Sequence, residues 1–232
     1  TIEVPTIEFA PPTNRTALDD ACNTANTFDW IVFTSAKGVE AFMERFIALE
    51  NDIQSLKHIR FCAVGPATAA KLTDYQLSVS AVPKEHRGEA VAKLLNDSVR
   101  GTRVLLPRAD LAGTNLPDAL RLAGADVHDV IAYRTIPVQS KRHDVHTMLI
   151  EKQIDVITFT SASTVRNFVG MMGGGSVPGL LTHTLIAAIG PVTAEAARSL
   201  GMTVAIVPKK STVSALVEAI AAYFKITDST CR

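Results

Sequence analysis

The chain carries the same strand-to-helix corner twice, and this internal repeat constrains its fold more than any other feature. The stretch DVITFTSASTV at 155–165 is identical to DWIVFTSAKGV at 29–39 at seven of eleven positions. The order continues in two shorter blocks, AVGPATA (63–69) with AIGPVTA (188–194) and AVP (81–83) with IVP (206–208). The offsets are 126, 125 and 125 positions, which indicates one structural unit present twice.

Each repeated block predicts a strand followed by a helix. WIVFT at 30–34 is a short run of apolar, β-branched and aromatic residues, as buried parallel strands are. After it, Val39, Phe42, Phe46 and Leu49 follow at intervals of three or four, which predicts a helix with one apolar face. Strands and helices continue to alternate. We therefore predict an α/β fold of two similar domains, each a parallel sheet flanked by helices in a flavodoxin- or Rossmann-like arrangement.

The repeat also predicts the domain boundaries. The second copy, over 155–220, contains only three strand–helix units, so its remaining parts should come from the start of the chain. We predict a discontinuous α/β domain of residues 1–7 plus 138–232. The other domain, residues 10–135, is then inserted within it.

The same alignment predicts how the domains are connected and what precedes them. Two strand-like connections, near 7–10 and 134–138, should run side by side as a two-stranded linker that allows hinge motion. Shifted by the repeat period, residues 101–125 have no counterpart in front of residue 1. We expect roughly 25–35 native residues, one strand and one helix, to be absent there.

Composition excludes several classes of function. Lys plus Arg and Asp plus Glu number 23 each, so a general nucleic-acid binder is not indicated and any anion site must be local. No apolar run is long enough to predict a membrane span. Cys22, Cys62 and Cys231 fit no disulfide framework or zinc ribbon, and the six histidines do not cluster. We predict a cytoplasmic protein without a metal site.

Candidate ligand-binding residues lie where strands end and helices begin, because open parallel sheets bind ligands beyond the carboxyl ends of their strands. Each such corner offers free backbone N–H groups, a helix N-terminus and a small hydroxyl, which together bind anions. Serine or threonine at a helix start is also an ordinary N-cap, so capping alone stays the alternative at each corner. The candidates are Thr34, Ser35, Gly65, Thr68, Thr160, Ser161, Gly190 and Thr193.

The ordered set of motifs resembles one known family. DWIVFTSAKGVEAF, AVGPATA, VIAYRT, DVITFTSASTV and AIGPVTA, in this order, look like uroporphyrinogen-III synthase over essentially the whole chain. The resemblance implies two α/β domains with the active cleft between them, and neither cofactor nor metal. It also implies a linear tetrapyrrole substrate, hydroxymethylbilane, which is closed to uroporphyrinogen III with loss of water and inversion of ring D.

The substrate that this resemblance implies carries eight carboxylates around an apolar skeleton, so it needs many scattered donors and a few cations. A solvated surface charge is the alternative for each cation. Tyr133, in VIAYRT, is the candidate general acid, since the family's motif has a tyrosine there and the repeat counterpart is Glu8. The candidate cations near the predicted cleft are Lys37, Arg108, Arg134 and Arg166.

The expected partner is a small molecule, and neither nucleic acid nor a membrane is expected. We expect a monomer. A transient contact with hydroxymethylbilane synthase would protect an unstable substrate, although no residue argues for it. The alternative function is a non-catalytic two-lobed protein that binds a small anion or a tetrapyrrole. An enzyme acting on a phosphorylated sugar or nucleotide would want a glycine-rich phosphate loop, and GPATA at 65–69 lacks that spacing.

Overall fold

The computed structural model describes residues 1–85, 87–138, 142–174 and 177–230, without the side chains of 142–143 and 226–230. The chain divides into two units by its internal contacts. Unit 1 is Thr1–Glu8 with Ile136–Arg232, and unit 2 is Phe9–Thr135. That each unit folds as a separate domain stays a prediction.

Unit 2 is built on a six-stranded sheet. Its strands are β1 (Ile7–Ala10), β2 (Trp30–Phe33), β3 (Arg60–Ala63), β4 (Val79–Ala81), β5 (Arg103–Ala109) and β6 (Asp126–Pro137). They lie in the order β1-β6-β5-β2-β3-β4, and the pairs from β6 to β4 are parallel. The chain passes between the units within β1 and again within β6, which are neighbours in the sheet.

Helices cover both faces of this sheet. The side chains of β2 alternate, so that Ile31 and Phe33 join one buried cluster while Trp30 and Val32 join another on the opposite face. Burial on both faces explains why the strand is a continuous apolar run. The helices of unit 2 are α1 (Thr16–Asn23), α2 (Ala36–Ala48), α3 (Pro66–Asp74), α4 (Gly88–Leu95) and α5 (Asn115–Leu122).

Unit 1 contains a smaller sheet of the same kind. Strands β7 (Val156–Phe159), β8 (Leu185–Ala188) and β9 (Val204–Ile206) are parallel and lie in chain order. The prediction of parallel sheets flanked by helices is therefore confirmed in both units. The helices of unit 1 are α6 (Arg142–Ile150), α7 (Ala162–Met172), α8 (Val177–Leu180), α9 (Pro191–Ser199) and α10 (Val213–Thr230). Among the helices that the structure describes, none is long and apolar enough to cross a membrane.

The sequence repeat is also a repeat of structure. Strand β3 and helix α3, of 4 and 9 residues, return 125 positions later as β8 and α9 with the same lengths. The pairing irregularity between Phe61 and Cys62 returns between Ile186 and Ala187. The two units therefore place equivalent residues at equivalent strand ends.

The described cysteines belong to the core. Cys22 and Cys62 are free thiols, 1% and 0% exposed. Burial raises the pKa of both thiols to about 12, so both stay protonated at neutral pH. Protonated buried thiols pack as small apolar side chains and do not act as nucleophiles.

Candidate active site

Two serine corners begin equivalent helices. Ser35 Oγ accepts the backbone N–H of Gly38 at 3.0 Å at the start of α2. Ser161 Oγ accepts the backbone N–H of Thr164 at 3.1 Å at the start of α7. Both serines have extended backbone, and each satisfies one N–H group that a helix start leaves without a partner. The capping role is confirmed for both serines. Their other hydrogen bonds differ, because Ser35 contacts Tyr133 whereas Ser161 contacts neighbours on its own helix.

The threonines in front of these serines lie at the strand ends. Thr34 is half-buried and Thr160 is exposed. Neither hydroxyl has a hydrogen bond to another residue in the described part of the chain. Both therefore remain candidates for contact with a ligand.

The two glycine corners offer backbone donors. Gly65 and Gly190 are the N-cap residues of α3 and α9, a proline follows each, and no described side chain caps either helix. Their first-turn N–H groups are therefore available to an anion. Thr68 and Thr193 are only 4% exposed. The structure thus presents backbone N–H groups at these corners, while the two threonine side chains contribute to packing.

Tyr133 lies on β6 with its phenol group held from two sides. Its side chain is 8% exposed, and its ring meets that of Phe9 edge-on, with 5.5 Å between the ring centroids. Its hydroxyl lies 3.1 Å from Ser35 Oγ, which is the same oxygen that caps α2. Two predicted site residues from distant parts of the sequence are therefore hydrogen-bonded to each other.

A cavity of about 320 Å³ in unit 2 is lined by Tyr133. Phe9 and Tyr133 form part of its wall, together with alanine and proline side chains from β1, α2 and the turn after β1. Arg15 and Lys37 also line it. The cavity therefore combines an apolar wall with charged side chains of both signs, since Glu44 lines it as well.

The cationic side chains of this cavity differ in how far they are engaged. Arg45 is paired through two nitrogens with Asp19, at 2.6 and 2.7 Å, and this pairing holds the pKa of the Asp19 carboxyl below its usual value. Lys37 has Glu40 at 3.1 Å, and its Nζ lies 5.8 Å from the centroid of the Phe9 ring. Arg15 makes no ion pair within the described residues. Arg15 and Lys37 are thus the cations here that a carboxylate could recruit.

Arg108 is buried and already occupied. It is 8% exposed, its Nε donates to Asp129 Oδ1 at 2.5 Å, and its Nη2 donates to the other carboxylate oxygen. Its Nη1 donates to the carbonyl oxygen of Gly113. These bonds tie the end of β5 to β6 and to the turn before α5. The placement favours a structural role for Arg108 over the predicted contact with substrate.

Of the remaining two predicted cations, Arg134 is half-buried and Arg166 is exposed. Arg134 Nε donates to the carbonyl oxygen of Pro11 at 3.0 Å, which ties β6 to the turn after β1. Arg166, in the second turn of α7, has no ion pair among the described residues. No group of three or more His, Cys, Asp or Glu side chains that could hold a metal ion occurs in the described part of the chain.

Sequence reasoning missed three parts of this site. Arg15 directly precedes α1 and Arg45 belongs to α2, and neither lies in a repeated motif. Asp129 gave no signal because it stands in an exposed-looking stretch, VHDV at 127–130. Alternation along β6 could have indicated that Asp129 and Ile131 share a face, but it does not name the partner strand.

These features together define a repeated α/β protein whose strand ends and helix starts suit an anionic small molecule with an apolar body. The chain belongs to the uroporphyrinogen-III synthase family: the family model described as "Uroporphyrinogen-III synthase HemD" matches residues 1–218. It is thus an enzyme of tetrapyrrole synthesis and a lyase.

Relatives of known name agree with this assignment. The chain is 30% identical over 223 residues to the uroporphyrinogen-III synthase of Synechococcus elongatus, covering 94% of this chain and 84% of that protein. It is 28% identical over 228 residues to the uroporphyrinogen-III synthase of Chlorobaculum parvum, covering 97% and 89%. The family assignment therefore rests on matches that span nearly the whole chain.

Solved structures show the same fold. The uroporphyrinogen-III synthetase of Helicobacter pylori superposes with a TM-score of 0.62 at 19% identity, over 95% of this chain and 92% of that one. A mutant uroporphyrinogen III synthase of Thermus thermophilus superposes with a TM-score of 0.56 at 20% identity, over 95% and 88%. At these identities the likeness supports the architecture alone.

Proposed function

We propose that this chain cyclises hydroxymethylbilane to uroporphyrinogen III, with Tyr133 as the general acid and the four strand-end corners as donors to the substrate's carboxylates. The observation that carries the proposal is the phenol of Tyr133 at the wall of a cavity that also presents Arg15 and Lys37. That combination suits a substrate with an apolar skeleton, many carboxylates and one hydroxyl that must leave.

The corners would bind carboxylates mainly through backbone N–H groups. Gly65 and Gly190 leave the first turns of α3 and α9 without a side-chain cap, and a helix start favours negative charge. Thr34 and Thr160 would add hydroxyl donors. Each charge-assisted hydrogen bond is worth roughly 1.5–3 kcal/mol, so several weak contacts replace one strong clamp. Arg108 has no part in this proposal, because its guanidinium is occupied by Asp129.

The chemistry needs little from the protein beyond a proton and a conformation. Protonation of the leaving hydroxyl releases water, and the electron-rich pyrrole nitrogen supplies the electron pair that replaces the broken C–O bond. Ring closure at the substituted carbon of ring D then gives a spiro intermediate, which fragments and closes again with that ring inverted. Holding the chain in the reactive conformation is the larger task, since orientation alone lowers barriers by several kcal/mol.

Analysis of the product isomer tests the proposal. Hydroxymethylbilane is generated in solution, the protein is added, and the oxidised uroporphyrins are separated by chromatography. Without enzyme the substrate closes to isomer I. We expect predominantly isomer III, in proportion to the protein concentration. Isomer I alone, from a folded protein, would contradict the proposed activity and favour the non-catalytic alternative.

Tyr133→Phe should lower kcat by about 10- to 100-fold with isomer III still the product. The ring and its contact with Phe9 are retained, so only the proton donor is lost. The loss is modest because a phenol is a weak acid and the pyrroles supply most of the electronic push. Initial rates of isomer III formation measure it.

Tyr75→Phe is the matched control for this prediction. Tyr75 is a half-buried tyrosine of the same unit, it does not line the cavity, and its loss of a hydroxyl should leave kcat unchanged. A fall of more than about a thousandfold for Tyr133→Phe would contradict the modest role, and no fall at all would remove Tyr133 from the mechanism.

The proposal also covers the oligomeric state, the compartment and the partner of the enzyme. We expect a monomer that works in the cytoplasm and receives its substrate by transient contact with hydroxymethylbilane synthase. The free thiols of Cys22 and Cys62 suit a reducing compartment, and the instability of the open-chain substrate favours direct hand-over.

A further inference from the structure

The hydroxyl of Ser35 serves two partners at once. Its oxygen accepts the N–H of Gly38 at 3.0 Å and lies 3.1 Å from the phenol oxygen of Tyr133. A serine hydroxyl has one proton and two lone pairs, so the proton and one lone pair are left for the phenol. The accepted bond from Gly38 strengthens the serine O–H as a donor, and the start of α2 carries partial positive charge. Both effects favour donation from Ser35 once the phenol oxygen carries negative charge, whereas in the neutral pair either hydroxyl can donate, the phenol being the more acidic of the two.

The contact with Ser35 fixes the position of the phenol oxygen of Tyr133. The ring cannot turn freely, because the side chain is 8% exposed and meets Phe9 edge-on. The phenol group is therefore held in one position, and Tyr133 is one of the residues that line the cavity.

The repeat provides an internal comparison. Ser161 caps α7 as Ser35 caps α2, but its hydroxyl is also hydrogen-bonded to Ser163 Oγ at 2.9 Å and Thr164 Oγ1 at 2.8 Å. The repeat counterpart of Thr164 is Gly38, which has no side chain and leaves the hydroxyl of Ser35 without that local competitor. The cap thus forms without a tyrosine in unit 1, and the tyrosine contact is an addition specific to unit 2.

We infer that Ser35 is a positioning residue that holds the phenol group of Tyr133 in place and stabilises the phenolate once its proton has left. The inference rests on the proposed function. In the step concerned, the phenol proton passes to the leaving hydroxyl, and the C–O electron pair departs with water. The pyrrole nitrogen replaces that pair, and the phenolate accepts from Ser35. A proton released when the ring system later regains its aromatic pyrroles returns to the phenolate.

A double-mutant cycle tests the inference. Ser35→Gly removes the hydroxyl, and glycine is well tolerated at an N-cap. We expect kcat for isomer III to fall about three- to tenfold with KM nearly unchanged. In the Tyr133→Phe background the same change should have no further effect on kcat, since the group that Ser35 orients is gone. Ser35→Thr, which keeps the hydroxyl, should restore kcat.

Ser161→Gly is the matched variant for the cap. It removes the same hydroxyl from the equivalent helix start, so its effect on thermal stability should match that of Ser35→Gly. Its effect on kcat, whatever its size, should multiply with that of Tyr133→Phe, because the hydroxyl of Ser161 is hydrogen-bonded to Ser163 and Thr164 within its own unit. Independent effects of Ser35→Gly and Tyr133→Phe, or a rise in KM at constant kcat, would overturn the inference and make Ser35 a ligand contact or a cap alone.

The cycle separates this inference from the proposed function. If Tyr133→Phe lowers kcat and Ser35→Gly does not, the general acid stands and the positioning role fails. If the parent protein makes no isomer III, the proposed function itself fails, and if Tyr133→Phe does not lower kcat, the general-acid role of Tyr133 fails.

Discussion

Asp129→Ala should lower the free energy of unfolding by about 3 kcal/mol, because it leaves the guanidinium of Arg108 buried without its partner. Arg108 is 8% exposed, and Asp129 takes two of its nitrogens. Removing one member of a buried pair costs much more than the pair contributes, since the remaining charge keeps its desolvation penalty. The Asp129 side chain is itself 26% exposed, which keeps the expected loss at the lower end of the usual range. Urea unfolding followed by far-UV circular dichroism measures the change.

Asp126→Ala is the control on the same strand. Its Oδ2 lies 3.8 Å from Arg103 Nε and its side chain is 65% exposed. We therefore expect the free energy of unfolding to fall by less than about 1 kcal/mol. The double variant Arg108→Met/Asp129→Ala should recover part of the loss, because no charge is then buried. If Asp129→Ala lowers the free energy of unfolding no more than Asp126→Ala does, the guanidinium of Arg108 is solvated. The prediction that Arg108 binds substrate would then stand again.

Local patterns were enough to predict the elements, and the repeat predicted their arrangement. Apolar spacing gave β2 and α2, and their return at an offset of 126 gave β7 and α7, because these elements depend on neighbours within a few residues. The identity of Ser35 and Ser161 as N-caps follows from the same short-range logic.

Contacts between residues far apart in the sequence could not be predicted. Ser35 and Tyr133 are 98 positions apart, and Arg108 and Asp129 are 21 apart on strands whose register sets their meeting. A single sequence does not give strand order, and a shift of one residue would turn each side chain to the other face of the sheet. For the same reason the sequence predicted that Arg108 is a free cation, whereas the structure pairs it with Asp129.

Phe42→Ala should lower the free energy of unfolding by about 4 kcal/mol, which is the largest single effect we expect. Phe42 is fully buried in unit 2, with ring centroids of Phe33 and Phe46 at 5.8 and 6.0 Å. Truncation removes both ring contacts and leaves a cavity that the surrounding strands and helices cannot fill.

Phe168→Ala is the equivalent change in unit 1. The Phe33–Phe42 pair returns there as Phe159–Phe168, with ring centroids 5.5 Å apart, but the counterpart of Phe46 is a methionine. Because Phe168 has one aromatic ring contact where Phe42 has two, we expect Phe168→Ala to lower the free energy of unfolding by about 3 kcal/mol.

Two probes applied to these variants also test whether the units are separate domains. The chain has one tryptophan, Trp30, which is buried in unit 2, whereas circular dichroism reports on both units. If the units unfold separately, Phe42→Ala shifts the fluorescence midpoint, and Phe168→Ala shifts the dichroism while leaving the fluorescence midpoint in place. Coincident shifts of both probes in both variants would contradict separate domains. A loss below about 1 kcal/mol in Phe42→Ala would contradict the packing around that ring, because truncation of a buried aromatic side chain removes more than this in any well-packed core.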